Sequence, residues 1–340
     1  MMRWTRVVIV ALVGIWFLNG CGKSDSTGAT GDSKAATESA AKKRKFAVIP
    51  KGLTHEFWRS VHFGAQQAAD ELGDVEIIWK GAPKEDDTTE QINLVQTFVS
   101  RGVDGIVLAP VADDALAAPV MQATKAGIPV VVIDSAVSGE AGKDFVSYVG
   151  TDNYTAGTLA GKRMREILNG SGTVLILRYA PSSAATVRRE QGFIDAATEA
   201  PTITLIDPPA YAGADVSSAR QAAQNLLTTH EGKFTAIFCP NESSTEGMLI
   251  ALEERKLSGK FKFVGFDTNE RLIEALRKGH LHGTVLQNPV RMGYLGVMTM
   301  SNHLFGKDCE QTIDTGAAII TPENMDEPEM KKLLNPPKAD

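Results

Sequence analysis

The chain has 340 residues, 43% of them hydrophobic and 22% charged, with a net charge of −6. That length suits two domains and that composition an ordinary globular fold. The acidic balance, with Lys42–Lys45 as the one basic block, argues against a nucleic-acid partner, and the three cysteines show no Cys/His spacing suited to a metal.

Arg3 and Arg6 open the chain with positive charge, residues 7–18 are a short apolar run, and Leu18-Asn19-Gly20-Cys21 follows. The run is shorter than the ~20 residues a membrane-spanning helix needs and fits the apolar core of an export signal. Leu-x-Gly-Cys resembles the bacterial lipoprotein signal. That implies a signal peptide over residues 1–20, lipid on Cys21, and an exported body tethered to a membrane of the cell envelope. Residues 21–45 are mostly Gly, Ser, Thr, Ala, Asp and Lys, too polar to fold alone, and read as a flexible tether. With Cys21 lipidated, Cys239 and Cys309 remain, and nothing local demands that they pair.

Residues 46–50 (FAVIP) are apolar enough for a buried parallel strand. The loop from Lys51 to Trp58 mixes Lys, His, Glu, Phe and Trp, and a helix carrying Val61, Ala65, Ala68 and Leu72 on one face runs to Gly73. Strands are predicted over 75–79, 105–109 and 129–133, alternating with helices over 86–99 and 115–126. Asp134 stands at the last strand's end. Tyr148 to Gly157 then joins a short strand to a helix over 155–168, with Thr151, Asp152 and Thr155 all able to cap it. This stretch reads as a crossover from one α/β lobe to a second.

The second lobe repeats the alternation. Strands are predicted over 172–177, 202–206, 234–238, 262–266 and 283–286. Helices begin near Val187 and Asp215 and cover 245–255, 272–278 and 292–304; residues 313–320 return as an extended segment. Alternating strands and helices predict parallel sheets with right-handed crossovers, in which ligands sit beyond the strands' carboxyl ends. Lys51, Ala109, Asp134, Asn241, Asp267 and Gln287 all fall at such ends, and Arg189 at a helix start faces the same side. Planar carboxylate, amide and guanidinium groups offer paired hydrogen-bond sites that suit adjacent sugar hydroxyls. Phe57 and Trp58 suit the apolar faces of the ring. Taken singly, each has a plainer reading: Asp134 and Asp267 as turn residues, Asn241 as a helix cap, Arg189 as a surface ion pair, Gln287 as loop, Phe57 and Trp58 as core, and Lys51, His55 and Glu56 as solvated loop. Their shared location lifts the set above its members.

Gly64-Ala-Gln-Gln-Ala-Ala-Asp-Glu-Leu-Gly73, Gly127-Ile-Pro-Val-Val-Val-Ile-Asp134, Gly150-Thr-Asp-Asn153, Arg189-Glu-Gln-Gly-Phe193, Val264-Gly-Phe-Asp267 and Gln287 together resemble the type I periplasmic sugar-binding proteins of the ribose-binding kind. The resemblance runs from about Phe46 to Ile320. It implies two doubly wound parallel-sheet lobes, 46–150 with 288–314 and 151–287 with 315–325, followed by a loosely packed tail over 326–340. Hinges then fall near 150–152, 287–288 and 314–316. It implies sugar contacts from Asp134, Arg189, Asn241, Asp267 and Gln287, an aromatic sandwich from Phe57, Trp58 and Phe266, and added contacts from Lys51 and His55. Lys51 stands where ribose binders carry a small hydroxyl residue, His55 replaces an amide, Ala109 an asparagine and Ser135 an arginine. The first lobe's half of the pocket is therefore rebuilt, and Lys51, His55 and Arg189 open the way to a sugar acid or other anionic polyol.

The expected activity is capture of a small sugar or polyol by a monomer through hinge closure, with delivery to the transmembrane subunits of an ABC permease and no cofactor. An enzyme lacks support, since there is no Gly-x-Ser-x-Gly elbow and no metal set. A lac-repressor-type regulator would need a helix-turn-helix that the tether cannot supply. A sensor presenting a sugar or furanosyl autoinducer to a membrane kinase is the remaining alternative.

Overall fold

Strand and helix alternate along the chain as the hydrophobic runs require. The computed structural model describes residues 43–339, so the export signal, Cys21 and most of the tether lie outside the described residues. The first run of elements is β1 (Arg44–Ile49), α1 (Glu56–Leu72), β2 (Val75–Trp79), α2 (Thr88–Arg101), β3 (Gly105–Leu108), α3 (Asp113–Lys125), β4 (Val130–Ile133) and β5 (Ser147–Gly150). The second is α4 (Asn153–Ile167), β6 (Ser171–Ile176), α5 (Ala184–Thr198), β7 (Thr202–Ile206), α6 (Val216–Thr229), β8 (Ala236–Phe238), α7 (Glu242–Glu254), β9 (Lys262–Phe266), α8 (Glu270–Arg277) and β10 (Gly283–Gln287). The chain closes with α9 (Pro289–Leu304), β11 (Thr312–Asp314), β12 (Ala317–Ile320) and α10 (Pro328–Leu334).

The strands form two sheets, β11-β5-β4-β3-β1-β2 and β12-β10-β9-β8-β6-β7. The first is parallel throughout. The second is parallel except where β12 runs against β10. In each sheet the chain steps outward once, β1 to β2 or β6 to β7, and then reverses past its starting strand. Such a reversal leaves a crevice at the strands' carboxyl ends. The chain passes between the sheets three times, from β5 to α4, β10 to α9 and β11 to β12. The extended segment expected over 313–320 is thus two strands, one in each sheet.

Both faces of each sheet are covered. Ala47, Ile49, Ile106, Leu108, Val130 and Val132 share one cluster, while Phe46, Val48, Val107, Val131 and Ile133 share another. A period of two with both faces buried is why these strands read as unbroken apolar runs. Helices α1 and α9 meet beside the first sheet, α4 and α5 beside the second. A Cβ at Gly64 would lie 1.9 Å from the Val290 carbonyl oxygen, and one at Gly157 would lie 2.1 Å from that of Arg189. These helix backbones approach too closely for any side chain. Of the three cap residues offered for α4, the structure uses Asp152, which accepts from the Thr155 N–H at 3.1 Å.

Two expectations at the ends of the folded body change. Arg44 and Lys45 open β1 instead of closing the tether, and Arg44 pairs with Asp74 at 2.6 Å. The tail over 326–340 is not loose, because Leu334 is buried in the second lobe's core and Lys338 pairs with Glu56. Cys239 and Cys309 are both free thiols.

Candidate functional site

β4 and β9 hold equivalent places in the two sheets, and each runs into an aspartate with left-handed backbone, Asp134 at φ 62° and Asp267 at φ 61°. Each aspartate donates its N–H to the neighbouring strand, Asp134 to Val149 at 3.1 Å and Asp267 to Val285 at 2.8 Å. Positive φ is uncommon outside glycine, and Asp tolerates it better than most residues. Strain of this kind clusters at ligand clamps and active sites, and here it repeats at matching strand ends that face one cleft.

The first lobe surrounds its aspartate with a buried charge network. Lys51, just past β1, meets Asp134 at 2.8 Å, with both side chains about 95% buried. His55 Nδ1 meets Glu85 at 2.5 Å. The Trp58 indole N–H donates to the same carboxylate, and the Tyr179 hydroxyl reaches across from the second lobe to donate to it at 2.8 Å. Burial pushes the Glu85 carboxyl up, but His55, Lys51 and Trp58 outweigh it and hold it at about 2. Burial likewise pulls His55 down, but Glu85, with smaller help from Glu242 and Asp267, holds the imidazolium at about 9. His55 Nε2 is buried and has no partner among the described residues.

The second lobe holds its polar groups by redundant neutral contacts. Arg189 donates to Asn153 at 2.8 Å and to the Pro240 carbonyl at 3.1 Å, and stands 3.8 Å from Asp267. Asp267 also accepts from Gln287 at 2.8 Å and from the Glu242 N–H at 3.1 Å. Burial raises the Asp267 pKa against the pull of Arg189 and Gln287. Asn241 caps α7, its Oδ1 accepting from the Ser244 N–H at 3.2 Å and its Nδ2 donating to Ser243 at 3.1 Å. The cap reading of Asn241 is therefore realised, although its side chain still faces the cleft.

Lys51, His55, Phe57, Trp58, Asp134, Arg189, Asn241, Asp267 and Gln287 all line one cavity of about 30 Å³. That is room for a water molecule or two, so the polar groups have closed on one another. Phe266 is the correction to the aromatic sandwich. It is fully buried in the second lobe's core, with the Arg189 guanidinium 4.9 Å over its ring and Phe238 edge-on. As the last residue of β9 it packs its ring into the second lobe's core, beneath the Arg189 guanidinium.

Glu85, Tyr179 and Glu242 line the same cavity and were not singled out from sequence. Each follows the carboxyl end of a strand, so the signal was present. Glu85 was hidden in the polar run Lys84-Glu-Asp-Asp87, and Glu242 behind Asn241. Glu242 bridges the lobes, because its carboxyl accepts from the N–H groups of Glu56 and Phe57 at 3.3 Å each. Those donors open α1, where the helix dipole favours negative charge. Burial nonetheless pushes Glu242 up to about 7.

Two similar parallel-sheet lobes, three crossings, and polar groups from both lobes at facing strand ends define a two-lobed receptor of the type I periplasmic binding class. Residues 46–308 match the model of the periplasmic binding protein domain, and the chain belongs to that family. A ribose import binding protein from Haemophilus influenzae is 27% identical over 287 residues, covering 84% of this chain and 94% of its own. Among solved structures, the periplasmic component of an ABC-type sugar transport system from Hahella chejuensis is 35% identical with a TM-score of 0.77, over 82% of this chain and 99% of that one. An ABC transporter solute binding protein from Agrobacterium vitis, with bound D-fucose, is 33% identical with a TM-score of 0.82, over 86% and 100%. These relatives are named for binding and transport, not for a reaction, and the protein is a receptor and not an enzyme.

Proposed function

We propose that the protein captures a small neutral sugar between its lobes and delivers it to an ABC permease. The observation that carries this reading is the pair of strained, equivalent aspartates, Asp134 and Asp267, facing one cleft from opposite lobes. A ligand bridging them contacts both lobes only when the hinge is closed, and that difference in contact is what shifts an open–closed population. The names of the relatives point the same way.

The charge pattern selects a neutral ligand over the sugar acid that Lys51, His55 and Arg189 suggested in sequence. Lys51 faces Asp134, His55 faces Glu85 and Arg189 faces Asp267, so each cation already has its anion, and Glu242 is left over. An anionic ligand would meet no unmatched cation. A neutral polyol can lie between the paired groups and accept from His55 Nε2–H. In this proposal residues 46–150 with 288–314 and residues 151–287 with 315–325 move as two lobes of a monomer. The body is exported to the periplasm and held at a membrane by lipid on Cys21.

The test is thermal unfolding of a soluble form starting near Lys42 against pentoses, hexoses, sugar acids and polyols. A ligand at 100 times its dissociation constant stabilises by about 2.7 kcal/mol. The expected result is a raised midpoint with one class of neutral sugar and none with sugar acids. A shift confined to sugar acids would refute the charge argument, and no shift with any sugar would refute the function.

A further inference from the structure

A charged network in the second lobe stands outside the polar cavity and yet ends at it. Arg178 and Tyr179 follow β6, the strand past which that sheet reverses. The Arg178 guanidinium forks onto Asp207 at 2.7 and 2.5 Å and gives a third N–H to Glu190 at 2.6 Å. Glu190 is only 1% exposed, and its other oxygen accepts from the Tyr179 N–H at 3.1 Å. The carbonyls of Arg178 and Tyr179 accept from the N–H groups of Ala212 at 2.7 Å and Gly213 at 3.2 Å. A planar fork on two carboxylates, with the backbone tied from both sides, leaves this turn little freedom. Burying a carboxylate is costly unless it is paired and hydrogen-bonded. Glu190 lines no part of the polar cavity; what it holds in place is Tyr179.

Tyr179 crosses the cleft. Its hydroxyl donates to Glu85 Oε2 at 2.8 Å, while Glu85 Oε1 takes His55 and Trp58. Burial, and after it the Glu85 charge, raise the Tyr179 pKa well above that of an ordinary phenol, so the hydroxyl stays a donor to a charged acceptor. The three donors are not equivalent. His55 and Trp58 come from the lobe that carries Glu85, whereas Tyr179 comes from the other. All four residues line the polar cavity.

Resting on the sugar-receptor reading above, we propose that Tyr179 is a positioning residue for sugar capture. Closure brings its hydroxyl to Glu85, the carboxylate is then held at both oxygens, and His55 and Trp58 are fixed against the sugar. Arg178, Glu190 and Asp207 form the mount that decides where the hydroxyl arrives. The second lobe thus completes the first lobe's half of the pocket, and the ligand gains contacts from His55 and Trp58 that are firm only in the closed state.

The experiment is a calorimetric double-mutant cycle, with D-ribose, D-fucose, D-galactose and D-glucose as probes. Tyr179→Phe keeps the ring and removes the hydroxyl. It should weaken the sugar that the wild-type protein prefers by roughly tenfold, as loss of a hydrogen bond to a charged group does. In the Glu85→Gln background the same change meets a neutral amide and should cost about threefold or less. Arg178→Met should weaken binding several-fold by itself and add little to Tyr179→Phe, since both act through one hydroxyl. A thermal transition near that of the wild type shows each variant to be folded. Wild-type affinity in Tyr179→Phe overturns the proposal. So does an equal loss in the two Glu85 backgrounds, because Tyr179 would then act without Glu85. An Arg178→Met loss that adds in full to that of Tyr179→Phe overturns the mount. Failure of the wild-type protein to bind any of the sugars overturns the receptor reading, and this inference with it.

Discussion

The two lobes share one plan and differ in how they hold the groups that face the cleft. Each has its aspartate at the end of the equivalent strand, with the same left-handed backbone and the same hydrogen bond to the next strand. Each packs its paired helices through glycines that admit no Cβ. The first lobe then relies on ion pairs that depend on each other, Lys51 with Asp134 and His55 with Glu85. The second relies on amides, carbonyls and a helix cap, so Arg189 keeps two neutral partners whatever becomes of Asp267. A fold can thus preserve the position of a binding group while exchanging the chemistry that supports it.

The largest expected effect follows from that dependence. Lys51→Met leaves Asp134 buried without its cation, and breaking a buried pair costs about 3–5 kcal/mol. Denaturant unfolding should show that loss, and the double variant Lys51→Met with Asp134→Asn should recover most of it. In the second lobe Asp267→Asn should be milder, since Arg189 keeps Asn153 and Pro240 and asparagine tolerates positive φ. Equal losses in the two lobes would erase the contrast.

Next in size is a pH dependence. His55 is raised from 6.5 to about 9, so its contribution is complete below 6.5 and lost as pH climbs to 9. Glu242 is raised from 4.5 to about 7 and acts in the same direction across 4.5 to 7. Glu85, lowered from 4.5 to about 2, contributes above 4.5 and fades as pH falls toward 2. The unfolding midpoint should therefore fall by several degrees between pH 6.5 and 9, and His55→Gln should flatten that limb. A midpoint that rises over this range would refute the His55–Glu85 pairing.

The smallest effect concerns Asn241. Its side chain is engaged as the cap of α7, so Asn241→Ala should cost about 1 kcal/mol of stability. It should weaken sugar binding less than Asp267→Asn does. A larger loss of affinity than that variant shows would return Asn241 to the first rank of ligand contacts.

Much of this was legible in sequence because the responsible forces are local. Apolar runs buried on both faces locate β1, β3 and β4, and the strand-end rule points to Lys51, Asp134, Asp267 and Gln287, which line one cavity. What was not legible depended on partners distant in the chain. Glu85 looks like one acid among several in a polar loop, and only its meeting with His55, Trp58 and Tyr179 gives it a role. Lys51 and His55 suggested an anionic ligand because their counter-charges could not be seen. Phe266 was placed by resemblance on the cleft wall, yet the pleat turns its ring inward beneath Arg189. The tail reads as loose in sequence because Leu334 buries itself against the other lobe-two elements, and no periodicity in so short a segment announces that.

Paired calorimetric titrations of Asp134→Asn and Asp267→Asn, using the sugar that stabilises the wild-type protein, test the central claim most directly. A ligand bridging the lobes must lose affinity with either change, by roughly tenfold or more for each hydrogen bond lost to a charged group. Wild-type affinity in either variant would mean that the ligand is held by one lobe alone, and that closure around it is not how this receptor works.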